Sequence, residues 1–163
     1  MAVVDLLELA SALPPGGVLA GVDHGEKTIG LAFSDSRLTI ASPVTVIEKT
    51  KFTRDAEVLF TLMAQRQAGG LVIGLPMNMD GSEGRRCQSA RAFARNLLRL
   101  EDLPIAFWDE RLSTVAVNRV LIEEADASRA RRAQVVDKMA AAWILQGALD
   151  RLRAAGADPK VSL

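Results

Sequence analysis

The rhythm of apolar and polar positions changes twice along this chain. Between residues 17 and 47 three extended runs stand out, at 18–23, 28–34 and 38–47, separated by His24-Gly25-Glu26-Lys27 and by Asp35-Ser36-Arg37. Breaks so short and polar predict hairpins between antiparallel strands. The first run, Val18-Leu19-Ala20-Gly21-Val22, is apolar throughout, as in a strand buried on both faces, and so belongs near the centre of a sheet. The period then becomes helical: apolar residues at 52, 56, 59, 60 and 63 mark a helix over 52–67, with Gly69-Gly70 as its stop. Residues 71–75 read as another buried strand, closed by Pro76. A helix is predicted over 84–100, a short strand over 105–108 after Pro104, and helices over 113–124 and 129–153.

Three strands followed by alternating helices and strands predict an α/β fold. Its mixed sheet combines a three-strand antiparallel meander with parallel strands and is covered by helices. Leu6, Leu7, Leu9 and Leu13, followed by Pro14-Pro15-Gly16-Gly17, predict a short amphipathic helix and a hinge. Residues 1–16 are thus expected to be an N-terminal extension, 17–153 the domain and 154–163 a tail. A chain of 163 residues with 49% hydrophobic and 25% charged residues is large enough for one self-sufficient core, which excludes the disordered classes. Its apolar or glycine stretches, such as 16–22, are far short of the ~20 residues that cross a bilayer, so no membrane association is expected. Asp5 and Glu8, with no Lys or Arg in the first sixteen residues, argue against a secretory signal. A single cysteine, Cys87, forms no intrachain disulfide, and the cytoplasm is the expected compartment.

Zero net charge argues at first against a nucleic-acid partner, but the charges are segregated. Residues 1–84 hold 6 basic and 10 acidic side chains, whereas residues 85–138 hold 11 and 8. Fifteen of the 20 basic residues are arginine, whose planar fork matches phosphate.

The acids carry the chemistry. Asp23 ends the most buried strand, where a carboxylate caps the next turn, pairs with a cation or binds a metal. Asp109-Glu110 ends another buried strand. If those strands are neighbours, carboxylates meet at one sheet edge, and a divalent cation that prefers oxygen resolves their repulsion. At 100° per residue, Asp137 falls within about 40° of Ala141, Ile144 and Ala148, which points an acid inward from the last helix unless it pairs with Arg111 or Lys138.

These residues carry a resemblance. Gly21-Val22-Asp23-His24-Gly25-Glu26-Lys27-Thr28-Ile29-Gly30, then Ala41-Ser42-Pro43, residues 74–84, Asp109-Glu110-Arg111-Leu112-Ser113-Thr114 and Asp137-Lys138-Met139-Ala140-Ala141 resemble, in order, the signature blocks of the YqgF family of pre-16S ribosomal RNA nucleases and Holliday-junction-resolvase homologues. The resemblance spans about residues 17–152. It implies a ribonuclease H-like fold and a hydrolase dependent on Mg²⁺ or Mn²⁺, with Asp23, Glu110 and Asp137 as catalytic and metal-holding acids. It also implies processing of the 5′ end of precursor 16S ribosomal RNA, with RNA favoured over branched DNA and a ribosomal precursor particle as a partner. Two departures stand out. The related resolvases carry a fourth acid three residues after the third, where this chain has Ala140, and His24 occupies a position that is mostly apolar or aromatic in the family.

Several features face phosphate. Gly25, Lys27 and Thr28 in the first hairpin can cradle it, as in the ATPases that share this hairpin. Asn78, Asp80, Ser82 and Glu83 follow a buried strand, where they either orient substrate or satisfy their own loop. Arg85, Arg91, Arg95 and Arg99 form one basic helical face, and Arg129, Arg131 and Arg132 open the last helix, against its dipole. Lys27, Arg85, Arg111, Arg131 and Arg132 are the expected nucleic-acid contacts. Five Phe, two Trp and no Tyr favour backbone recognition over base readout. The competing readings are a non-enzymatic RNA-binding module of ribosome assembly, a resolvase of branched DNA and an ATPase-like domain.

Overall fold

The computed structural model of the chain describes residues 3–113, 118 and 129–156, with the backbone alone over 129–135. Among them, β1 (Val18–His24), β2 (Thr28–Ser34), β3 (Ala41–Glu48), β4 (Ala68–Leu75) and β5 (Ile105–Asp109) form one sheet in the order β3-β2-β1-β4-β5. The first three strands pair antiparallel, and β1–β4 and β4–β5 pair parallel, as the pattern predicts. The all-apolar start of β1 is buried on both faces at the centre of the sheet.

Helices α1 (Leu6–Ser11), α2 (Phe52–Gln65), α3 (Arg85–Leu100) and α4 (Arg129–Gly156) cover the two faces. Strand periodicity sorts the side chains. Ala20, Val22, Leu31, Leu71 and Ile73 pack with Leu59, Met63, Phe93 and Leu97 of α2 and α3. Their alternates Leu19, Ala32, Val72, Ala106 and Trp108 pack with Ala141, Ile144, Leu145 and Ala148 of α4. The same count puts Asp23 and Glu110 on the α4 face.

Several boundaries differ from the sequence pattern. β3 begins at Ala41 rather than 38, because Leu38 takes φ 56° and the Asp35 carboxylate accepts hydrogen bonds from Thr39 N, Thr39 Oγ1 and Ile40 N, closing a turn. Helix α2 stops at Gln65. Gly69-Gly70 belongs to β4 rather than to a helix stop, and a Cβ at Gly70 would stand 2.6 Å from Leu9 Cδ1. Leu9 is itself fully buried, and Val4 N donates to Ile105 O at 2.8 Å, so residues 3–13 pack on the core instead of hinging from it. A 3₁₀ turn, Glu110–Leu112, follows β5. The helix expected over 113–124 lies outside the described residues except Ser113, which follows that turn, and helical Asn118. Helix α4 runs on to Gly156, and the rest of the expected tail lies outside the described residues. No helix among the described residues is long and apolar enough to cross a membrane.

Candidate active site

The parallel strands β1, β4 and β5 end on one side of the sheet, where Asp23 and Glu110 stand. Asp23, the sixth residue of β1, is 8% exposed; Glu110, just past β5, is 4% exposed. In register, Gly74 of β4 pairs with Trp108 of β5, one step beyond the pairing of Ile73 with Val22 of β1. Gly74 thus lies level with Asp23 on the strand between the two acids, and Glu110 follows its partner Trp108 by two residues. The lack of a side chain at Gly74 matters, because a Cβ there would stand 2.9 Å from Glu110 Oε2 and 2.5 Å from Ile144 Cδ1. The Glu110 carboxylate thus lies against the bare backbone of β4.

Asp137 comes from above. It is half-buried on the same helical stripe as Ala141, Ile144 and Ala148, which are fully buried, so the angular count from sequence describes the helix correctly. Gly30 is the antiparallel partner of Asp23. A Cβ at Gly30 would meet the Asp137 backbone oxygen at 2.9 Å and Asp23 Cβ at 3.6 Å, so the helix and β1 converge on one point. Ala140, in place of the fourth acid of the related resolvases, is fully buried and leaves this donor set one carboxylate short. Among the described residues, no three His, Cys, Asp or Glu side chains already form a cluster ready for a metal ion. The donors on offer are nonetheless all carboxylate oxygens, the ligands that hard divalent cations take, with open backbone between two of them.

Asp109 and Glu110 part company. The Asp109 carboxylate receives Arg111 Nη2 at 2.7 Å and Arg111 Nε and N at about 3 Å, and this pairing holds its pKa below the usual carboxylate range. Arg111 is therefore engaged with Asp109, and its Nη1 also reaches Met79 O at 3.4 Å, tying the 3₁₀ turn to the loop 76–84. That loop largely satisfies itself: Ser82 N and Oγ donate to Asp80 Oδ1, Asn78 Nδ2 donates to Ser82 Oγ, and Gly81 N donates to Asn78 O. Glu83 forms a bidentate pair with Arg91 at 2.7 and 2.8 Å, and Arg91 also covers the Phe107 ring at 4.9 Å. Arg91 thus drops out of the basic face expected on α3, while Arg85, Arg95 and Arg99 stay exposed.

Lys27 is exposed at the tip of the first hairpin, whose closure uses the Gly25 amide on Thr28 O at 2.9 Å. The side chains of Arg129, Arg131 and Arg132 lie outside the described residues. Sequence reasoning missed Arg86, whose Nη2 stands 4.0 Å from Asp23 Oδ1. It shares a helical face with Ser89 and Phe93, three and seven residues on, and that spacing was the available signal. His24 stacks on Phe93, with ring centroids 4.6 Å apart. Burial, with Lys49 next, lowers its pKa to about 4 and keeps the imidazole neutral at pH 7.

A mixed sheet with acids at the ends of its parallel strands, faced by a helix that brings a third, has the ribonuclease H-like architecture. The fold matches that of T. thermophilus RuvC, solved in complex with a Holliday junction, at a TM-score of 0.50 and 12% identity over 83% of this chain and 96% of that one. Over residues 17–151 the chain belongs to the RuvX family, described as Holliday junction resolvases, and with it to the hydrolytic nucleases. It is 71% identical over 154 residues to a protein of Phenylobacterium zucineum named as a pre-16S rRNA nuclease, covering 94% of this chain and 99% of the relative. A protein of the same name from Rhodospirillum rubrum is 61% identical over 152 residues, covering 93% and 94%.

Proposed function

We propose that this chain is a Mg²⁺- or Mn²⁺-dependent nuclease of the cytoplasm that hydrolyses phosphodiester bonds in structured RNA and processes the 5′ end of precursor 16S ribosomal RNA. One observation carries the reading: two buried carboxylates at the ends of parallel strands flank a glycine whose missing side chain leaves room for one of them. A glycine that makes room for a buried carboxylate beside the end of a neighbouring strand suits a metal ligand, since hard divalent cations take carboxylate oxygens. Asp23 and Glu110 are the ligands supplied by the sheet, and Asp137 the ligand supplied by α4. A bound divalent cation would supply the Lewis acidity that activates a water and stabilises the leaving oxygen. Arg86 and Arg85 hold substrate phosphate beside Asp23, with Lys27 at the hairpin tip and Arg131 and Arg132 at the start of α4 as further contacts. Asn78, Asp80, Ser82 and Glu83 shape the adjoining loop, and Arg111 anchors it.

The RNA substrate rests on the names of the relatives, whereas the family description favours branched DNA as a second reading. Purified protein should be given 5′-labelled precursor RNA and, separately, an immobile four-way DNA junction, each with Mg²⁺ and with EDTA. Cleavage of the RNA at a discrete site, abolished by EDTA and by Asp23→Asn, is the expected result. Cutting confined to the junction would select the second reading. Tight RNA binding with no cleavage under any metal would select the non-enzymatic module.

A further inference from the structure

Two small cavities adjoin just past Asp23. The first, about 60 Å³, is lined by Lys49, Arg85 and Arg86 together with His24 and Ser89, with Glu26 at its lip. The second, about 240 Å³, shares His24, Lys49 and Ser89 with the first and adds Phe52, Phe93 and Asn96. They form one groove that is cationic near Asp23 and aromatic beyond it. Resting on the nuclease reading above, we propose that this groove is a subsite for one unpaired nucleotide next to the scissile phosphate. Its phosphate sits among Lys49, Arg85 and Arg86, and its base enters the cavity walled by His24, Phe52 and Phe93.

The cationic end is built for an anion. Arg85 and Arg86 occupy the first turn of α3, where Gly84 gives no side-chain cap and no acid is present, so the first amides and the helix dipole add to the guanidinium charges. Arg86 also reaches toward Asp23, at 4.0 Å, which puts a phosphate bound here within one nucleotide of the Asp23 carboxylate. The only other acid lining the groove, Asp55, is turned to Thr50, accepting from its amide and hydroxyl, and so does not repel a phosphate directly.

The other end is built for a ring. Phe93 stacks on His24 and receives Phe52 edge-on, with centroids 5.8 Å apart, while Ser89 and Asn96 supply polar edges. His24 lines both cavities, and its buried Nδ1 has no hydrogen-bond partner among the described residues, a cost that a polar group of a ligand would remove. The volume is below the roughly 300–1,000 Å³ of sites for drug-sized ligands, which suits a single base. A base inside a duplex is paired and stacked on both sides and enters such a cavity only by flipping out, at a cost of a few kcal/mol that an unpaired base avoids. The substrate class is therefore a strand with an unpaired nucleotide beside the cut.

Ser89 is exposed and borders both cavities, so Ser89→Phe fills the groove without touching the core. The probe is a fluorescent RNA hairpin with one unpaired nucleotide at the stem end, compared with the same hairpin carrying an abasic residue there. Binding is read by anisotropy in EDTA, so the readout does not depend on cleavage. Wild type should lose about tenfold in affinity on removal of the base, the scale of one base–aromatic stack. Ser89→Phe should bind the intact probe about tenfold more weakly and lose nothing further with the abasic probe; Asn96→Leu should act in the same direction. Lys49→Met should weaken both probes alike and flatten the salt dependence. An abasic penalty that is absent in wild type, or equal in wild type and Ser89→Phe, overturns the subsite. Parallel Mg²⁺ cleavage assays separate the two readings: cleavage without the coupling leaves the nuclease and removes the subsite, and coupling without cleavage does the reverse.

Discussion

Replacing Gly74 by alanine tests whether the bare backbone between the two acids serves the chemistry. The added Cβ would stand 2.5 Å from Ile144 Cδ1 and 2.9 Å from both Ile144 Cγ1 and Glu110 Oε2, all well inside contact distance. Ile144 is fully buried, so its clash is a core overpacking of about 1–3 kcal/mol, offset by about 0.4–1 kcal/mol from the reduced freedom of the unfolded chain. The net loss of about 1–2 kcal/mol should lower the melting temperature of a domain this size by roughly 2–8 °C, as read by circular dichroism. Cleavage should fall much further. The Glu110 carboxylate must move by a substantial part of an ångström, and a displacement of that order in a catalytic group costs up to about 10²-fold in rate. Ile144→Val on top of Gly74→Ala removes the closest clash but leaves Cγ1, so it should restore only part of the stability, and it should not restore the rate, because the crowding at Glu110 remains. A Gly74→Ala protein that is destabilised as calculated but cleaves at the wild-type rate would refute the role given to Glu110.

At Gly30 the added Cβ would meet the backbone oxygen of Asp137, which has no rotamer to escape into, so Gly30→Ala should destabilise more than Gly74→Ala in urea titrations, by about 2 kcal/mol or more; a smaller loss would refute the close approach of α4. Asp137→Asn removes charge at nearly constant volume and should abolish cleavage with no change in unfolding midpoint, and retained cleavage would remove Asp137 from the metal ligands. Neutralising Arg85 or Arg131 should reduce the slope of log affinity against log salt by roughly 0.7 on a single strand or 0.9 on a duplex, whereas an unchanged slope makes that side chain a solvated one. Asp35, whose pKa is lowered to about 2 by its bonds to Thr39 and Ile40, contributes stability that is present above pH ~4 and lost as pH falls toward 2. The stability gap between wild type and Asp35→Asn should close over that window, and a gap independent of pH would contradict the bonding.

The strands were legible because their burial is periodic. β2 appears at the predicted residues, and β1 lies at the centre of the sheet as its continuous apolar run requires. What misled was glycine. Gly69-Gly70 has the composition of a helix stop, but Gly70 is bare because Leu9, sixty residues earlier, packs against it, and no local pattern carries that information. The site was half legible for the same reason. Acids at strand ends are visible in a string of letters, as is the helical phase of Asp137. That Asp109 would be taken by Arg111 and Arg91 by Glu83 depends on which charges meet after folding, eight residues apart in the second case. The loop 76–84 offered both readings, and its internal hydrogen bonds favour the structural one.

The division of acids between strand and helix follows from the width of the sheet. Asp23 and Glu110 belong to β1 and the end of β5, which flank β4, and at about 4.8 Å per strand spacing their backbones stand roughly 10 Å apart. No single ion with ligand bonds of about 2.0–2.1 Å is shared across that gap unless one side chain leans over β4. The longer acid stands just past β5, and its Oε2 lies against Gly74. Any side chain at 74 would stand as a wall between the two carboxylates, so the glycine and the choice of glutamate at 110 are one requirement expressed at two positions. In the proposed site the third acid comes from above the sheet. It does so only because the sheet is also bare at Gly21 and Gly30, where Cβ atoms would stand 2.6 Å from Leu145 Cβ and 2.9 Å from the Asp137 backbone. Alanines 140, 141, 142 and 148 on α4 complete that close approach from the helix side, all buried. The spacing of helix and sheet, set by small residues on both, therefore fixes how far the Asp137 carboxyl must reach. A variant that thickens this interface should weaken metal binding before it unfolds the protein.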